Sequence, residues 1–230
     1  MYVENSTKGE FMNKYYDVLR KCKLFSNISD KNLLPMLTCL NAKVFHFNKG
    51  ETIIEEGSSA RDVGIVLSGS VQIIKIDFYG NRSIISKIES AQLFGESFAC
   101  ADIVSVPISV IASENSEIML IDCKRITKTC CNACEFHNQI IINLLQIMAM
   151  KNILFNQKAE ITSKRTTREK LLAYLEQQAK INNSNSFSIP FDRQELADYL
   201  EVDRSGLSAE ISKLRSEGII KSEKNRFTLL

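Results

Sequence analysis

Arg204, Ser205 and Ser208 place guanidinium and hydroxyl groups on the first turns of a short helical pattern, opposite an apolar stripe of Leu207, Ile211 and Leu214. Groups in that position can meet base edges in the major groove of duplex DNA. Lys164, Arg165, Arg168, Arg193, Lys213 and Arg215 surround the segment with charges that suit phosphate. A second constellation is Cys130, Cys131, Cys134 and His137. If a helix has begun by Cys130, residues 131, 134 and 137 fall broadly on one face. Thiolate and imidazole there would suit zinc, haem iron or a cluster. A helix start also lowers a thiol pKa and favours redox reactivity. The other reading is that these are small residues packing a helix start, with His137 satisfied locally. A full metal site would need a fourth ligand, from Cys123 or a partner chain.

The elements that must position the first constellation are legible. Asp192 stands three residues before Glu195, a capping box that opens a helix with Leu196, Ala197 and Leu200 on its apolar face. A turn through Glu201 and Val202 follows, and Asp203 caps the next helix. Ile219 and Ile220, a polar break over 221–225, and the run from Arg226 to Leu230 predict a hairpin beside the helix pair. Together these make a winged helix-turn-helix. Residues 164–230 carry twelve Lys and Arg against ten Asp and Glu, and the whole chain is only +2. Affinity for DNA must then come from local placement, not from a bulk field.

With 44% apolar and 24% charged residues, the 230-residue chain has the composition of a soluble globular protein of one large or two ordinary domains. No apolar run reaches membrane-spanning length, and the N-terminus lacks the pattern of a signal peptide. A cytoplasmic protein without membrane association is expected, with its seven cysteines reduced. No HExxH, phosphate loop or nucleophile–base pairing is present, which argues against an enzyme.

Helices are expected over 11–22 and after Ser29-Asp30, with Leu33, Leu34, Leu37 and Leu40 on the second. From Ala42 to Asp122 short alternating or β-branched runs are separated by Gly and Asn turns, which predicts a β-roll or jelly roll. No Gly or Pro interrupts 130–163, so one long helix is expected there. Ile141, Leu145, Met148, Asn152 and Phe155 step by four and three, the spacing of a homodimer seam with one polar position. Ile140, Leu144, Ile147 and Leu154 form a second stripe that can cover the roll. Burial of the helix within one domain is the alternative. Thr166 and Glu169 form another capping box, and 182–188 reads as a loop. The fold class is α+β, with a sensor unit over 1–129, a dimerisation helix over 130–163 and a winged helix-turn-helix over 164–230.

Over roughly residues 15 to 229 the chain resembles the cAMP receptor protein and FNR regulators, the Crp/Fnr family. NKGETIIEEGSSARDVGIVLSGSVQIIKIDFYGNR is similar to that family's cyclic-nucleotide-binding-like roll, LFGES to its effector segment, and FDRQELADYLEVDRSGLSAEISKLRSEGII to its helix-turn-helix. The resemblance implies a homodimeric transcription regulator that binds a palindromic promoter site and works with RNA polymerase. It places Arg204, Ser205 and Ser208 at base-contacting positions and Arg193 at a phosphate contact. Gln194 and Lys213 complete the DNA-binding candidates. Ala209 replaces an Arg that many relatives use to read guanine. Glu201 replaces a common turn glycine, so the turn is expected to avoid positive φ.

The resemblance also places an effector pocket at Phe94, Gly95, Glu96, Val106 and Pro107. Cyclic-nucleotide binders of the family use a Glu for the ribose and an Arg ten residues later for the phosphate. Here that residue is Val106, and no Lys or Arg occurs from Ile88 to Cys123. A buried phosphate without a cation is costly, so cAMP is disfavoured. Cys22 and Cys39 are too far apart for the family's N-terminal iron–sulfur pattern. No cofactor is identified. Haem or metal stays open, with Cys100, Cys130, Cys131, Cys134 and His137 as candidate ligands. The expected signal is redox, gas or a small molecule other than cAMP. The alternatives are a constitutive regulator without effector, or a thiol or metal redox protein.

Overall fold

The computed structural model describes residues 8–128 and 135–230. Its contacts group into two compact units. One holds the chain up to Lys75 with Ser86–Lys151, and the other holds Ile76–Ile85 with Asn152–Leu230.

The first unit opens with α1 (Lys8–Lys21), a 3-10 turn (Lys23–Phe25) and α2 (Asp30–Cys39). Ser29 is the N-cap of α2, and its hydroxyl makes no capping bond. The Asn32 N–H bonds the Ser29 carbonyl instead, at 2.9 Å. The roll then runs β1 (Lys43–Phe47), β2 (Thr52–Ile54), β3 (Asp62–Ser68), β4 (Ser70–Ile76), β5 (Arg82–Glu89), β6 (Leu93–Phe94), α3 (Glu96–Cys100), β7 (Ser109–Ala112), β8 (Ser116–Asp122) and α4 (Cys123–Thr127). Two four-stranded sheets result, ordered β1-β8-β3-β6 and β2-β7-β4-β5.

In the β3–β8 ladder Val63 faces Ile121 and Ile65 faces Met119, all four fully buried. These side chains share one face of the pleat and one core with Leu19, Leu33 and Met36. Burial of each contributes roughly 2 kcal/mol. Gly64 lies between them opposite Phe94, and a Cβ there would stand 2.2 Å from the Phe94 ring. That absent side chain lets Phe94 pack at 0% exposure.

The long helix α5 (Glu135–Thr162) sends Ile140, Leu144 and Ile147 into this core. Leu154, assigned to the same stripe from the sequence, is 47% exposed. Asn143 is buried and donates to the carbonyls of Leu24 and Ser26 at 2.9 and 2.8 Å, which ties α5 to the 3-10 turn. Leu145 and Phe155 of the expected seam are exposed, whereas Ile141 and Met148 are partly buried against the roll.

The second unit adds α6 (Thr167–Asn182), β9 (Ser186–Ser188), α7 (Arg193–Leu200), α8 (Arg204–Ser216), β10 (Ile220–Glu223) and β11 (Arg226–Leu229). Leu171 and Leu175 of α6, Leu196 and Leu200 of α7, and Leu207, Ile211 and Leu214 of α8 form its buried centre. Rings of Tyr174, Phe191 and Tyr199 cluster with centroids 4.8 to 6.4 Å apart. The hairpin β10–β11 is the wing. Residues 182–188, read as a loop, are corrected in part: β9 pairs with β11, Phe187 opposite Phe227. Burial of Phe187 at 5% exposure draws this polar stretch into the sheet.

The tip of the β4–β5 hairpin belongs to this unit. Arg82 donates through Nε and Nη2 to Asp198 Oδ2 at 2.8 and 2.6 Å. Lys158 is buried, donates to the Ile84 carbonyl and, at 3.3 Å, to that of Ile85, and lies 4.4 Å over the Tyr199 ring. Burial pushes its pKa down to about 8.

Candidate nucleic-acid interface and effector site

The segment expected to read DNA is held by local caps. Asp192 accepts the Glu195 N–H at 2.8 Å, and Glu195 accepts the Asp192 N–H at 2.9 Å, closing the capping box of α7. The turn differs from expectation, since Glu201 adopts φ +54°. This left-handed residue lets the Val202 N–H reach the Ala197 carbonyl at 3.1 Å. Lys170 Nζ donates to the carbonyls of Leu200 and Glu201, both at 3.2 Å. Satisfied carbonyls offset the strain of about 1 kcal/mol that a side chain meets there.

Asp203 then caps α8, accepting the Gly206 N–H at 2.8 Å and the Ser205 hydroxyl on the same oxygen. These bonds, the Ser205 one foremost, hold the Asp203 carboxyl below the usual range. Arg204, Ser205 and Lys213 are exposed, and Ser208 is half-buried. Ala209 is exposed on the same helix. Arg193 lies over the Phe227 ring of the wing, 5.8 Å from its centroid, with Nη1 buried and without a partner among the described residues. Burial lowers its pKa. Gln194 is exposed but donates its amide to Asp198 at 2.7 Å. Arg168, counted among the phosphate-seeking cations, is engaged elsewhere: it bonds Glu210 at 3.2 Å and Glu217 at 2.5 Å. It ties α6 to α8.

The proposed effector segment is built differently. Gly95, at φ +77°, turns the chain out of β6 and is the N-cap of α3. A side chain there would press on the Asp62 carbonyl at 3.2 Å. Glu96 follows at 3% exposure. Its Oε1 pairs with Lys151 Nζ of α5 at 2.8 Å, and Lys151 also donates to the Leu93 carbonyl at 2.6 Å. Glu96 Oε2 is buried with no partner among the described residues. Val106 is buried, its N–H bonded to the Ser58 carbonyl at 2.9 Å and its carbonyl to the Gly57 N–H at 2.8 Å. Pro107 is exposed. Clefts of about 440 and 360 Å³ in this unit are lined by other residues, including Lys14 and Glu117 in one and Ser58 and Arg61 in the other.

The roll was expected to lack a cation at Glu96, and within Ile88–Cys123 it does. Lys151 reaches Glu96 from α5. A signal was present, because Lys151 and Lys158 are the only Lys, Arg, Asp or Glu residues from 136 to 159. A cation set in so apolar a stretch of helix implies a specific partner.

Cys130, Cys131 and Cys134 lie outside the described residues. His137 is buried, with Nε2 3.2 Å from the Arg125 carbonyl, its ring stacked on Phe136 and Nδ1 unpartnered among the described residues. Cys100 and Cys123 touch through their sulfurs at 3.0 Å, and burial pushes the Cys123 thiol up to about 12. Among the described residues no group of three or more His, Cys, Asp or Glu is placed to hold a metal, and no helix is long and apolar enough to cross a membrane.

Comparison with known proteins follows the same division. Residues 44–131 match the cyclic nucleotide-binding domain, and residues 169–230 match the Crp-like helix-turn-helix domain. The chain is 22% identical over 187 residues to the transcriptional activator protein FnrA of Stutzerimonas stutzeri, covering 79% of this chain and 74% of that one. It is 26% identical over 140 residues to potassium channel KAT1 of Oryza sativa subsp. japonica, covering 61% of this chain but only 19% of the channel. The fold is similar to that of the c-di-GMP responsive global regulator CLP of Xanthomonas campestris, with a TM-score of 0.68 at 16% identity. That alignment covers 87% of this chain and 99% of CLP.

Proposed function

This chain belongs to the Crp/Fnr family of helix-turn-helix transcription regulators, and from that premise we propose that it acts in the cytoplasm as a homodimer on a palindromic promoter site. Neither half performs catalysis in this reading. The observation that carries it is the start of α8, where Arg204 and Ser205 stand exposed on a helix anchored by Leu207, Ile211 and Leu214. Ile142 and Leu145 stand exposed on neighbouring positions of α5, an apolar surface that a second copy would cover. A two-fold axis along α5 would set two α8 helices in successive major grooves, and bound promoter would then be presented to RNA polymerase.

We place the regulatory signal in the roll. Lys151 supports a second reading, an effector-free regulator, because it already supplies the positive charge that Glu96 needs. Titration of a selected palindromic duplex, with random duplex as competitor, tests both readings. Salt-dependent, sequence-preferring binding that is lost in Leu145→Glu is expected. Equal affinity for operator and random duplex would refute the regulator. Equal operator affinity with and without cyclic nucleotide, reductant, haem or metal would favour the effector-free reading.

A further inference from the structure

Asp203 caps α8, and its hydrogen bonds have a second consequence. The Ser205 hydroxyl owns one hydrogen and two lone pairs. That hydrogen is donated to Asp203 Oδ2, which also holds the Gly206 N–H at 2.8 Å. The carboxylate has no proton to return. Ser205 is nevertheless exposed on the first turn of α8, so it faces solvent with acceptor capacity alone. Ser208, whose hydroxyl makes no bond among the described residues, is under no such constraint.

In the major groove the hydrogen-bond donors are the amino groups at adenine N6 and cytosine N4, whereas guanine N7 and O6, adenine N7 and thymine O4 all accept. We propose that Asp203 is a specificity-determining residue, which fixes Ser205 as an acceptor and so selects a base that presents an exocyclic amino group. The ionised carboxylate beside Ser205 adds repulsion toward a guanine edge. Asp203 acts through Ser205 as a positioning residue. This assignment rests on α8 being the recognition helix, as proposed above.

The test uses the full chain and operators selected from a randomised duplex library. The position whose preference disappears in Ser205→Ala identifies the contacted base pair. At that pair the amino group is deleted, by purine for adenine or 2-pyrimidinone for cytosine, and separately N7 is deleted with a 7-deaza base. Amino deletion is expected to weaken wild-type binding about fivefold, the worth of one hydrogen bond, and to leave Ser205→Ala unchanged. N7 deletion should leave wild-type binding as it was. Asp203→Gly, a cap change that costs little helix stability, frees the Ser205 hydroxyl to donate as well as accept, so it should tolerate an acceptor edge at that pair which wild type rejects, with helix content unchanged. Dependence of wild type on N7, O6 or O4 in place of the amino group would overturn the assignment, as would an Asp203→Gly protein that rejects an acceptor edge as strictly as wild type, or a Ser205→Ala protein with no altered preference. A chain with no preferred duplex at all would instead overturn the reading of α8, and this inference with it.

Discussion

The starts of α3 and α8 use similar parts to opposite ends. Each puts a charged residue directly after its N-cap, Glu96 after Gly95, which makes no side-chain cap bond, and Arg204 after Asp203, which does. Glu96 is buried and answered by Lys151, a residue of another helix. Arg204 is exposed, and the cap beside it is completed by its neighbours Asp203, Ser205 and Gly206. The difference teaches what each place can still bind. A carboxylate taken out of water must find its counter-charge inside the protein, which lessens what a ligand has to supply. A helix start whose caps are local keeps its outward groups available for an external partner.

The largest expected effect breaks the buried side of this contrast. Lys151→Met leaves Glu96 without its cation and should destabilise the first unit by about 3 kcal/mol in urea unfolding. Adding Glu96→Gln should restore most of that loss. An unchanged unfolding midpoint in Lys151→Met would show that Glu96 does not depend on the pair. On the exposed side, Arg204→Ala should cost about 2 kcal/mol of affinity for the selected operator and little for random duplex. Equal losses on both in gel-shift titration would make Arg204 a phosphate contact.

Arg193 tests the border between the two cases, since it is half-buried on Phe227 yet sits at the start of α7. Arg193→Ala should weaken operator and random duplex alike, by about 1 kcal/mol, and reduce the salt slope by about one. The smallest effect concerns Lys158. Its pKa is about 8 in the folded chain against an ordinary 10.5, so the folded state binds fewer protons between those values. Stability of the second unit is therefore reduced below pH 8 and recovers as pH rises toward 10.5. Wild type should gain about 1 kcal/mol on Lys158→Met between pH 8 and 9. A constant gap between their thermal midpoints would remove the buried charge from the account.

What could be read in advance follows the range of each interaction. The capping boxes at Thr166/Glu169 and Asp192/Glu195 form as their three-residue spacing predicts. The stripe of Leu207, Ile211 and Leu214 is buried as its period predicts. The roll's strands other than β6 fall where alternating runs and Gly or Asn turns place them. Glu201 escaped because the carbonyls that let it sit at positive φ are satisfied by Lys170 of α6. β9 escaped because three polar-flanked residues become a strand only when β11 and a pocket for Phe187 are present.

Residue types and their spacing along the chain determined the fold class, the helix pair α7 and α8 and the groups exposed at the start of α8, because caps and apolar stripes act within one or two turns. Folding in three dimensions assigned the partners. It brought Lys151 to Glu96, tied Arg168 to Glu210 and Glu217, and laid Arg193 on Phe227. Charges meet by proximity in space, and no local period records which distant side chain a buried group will find.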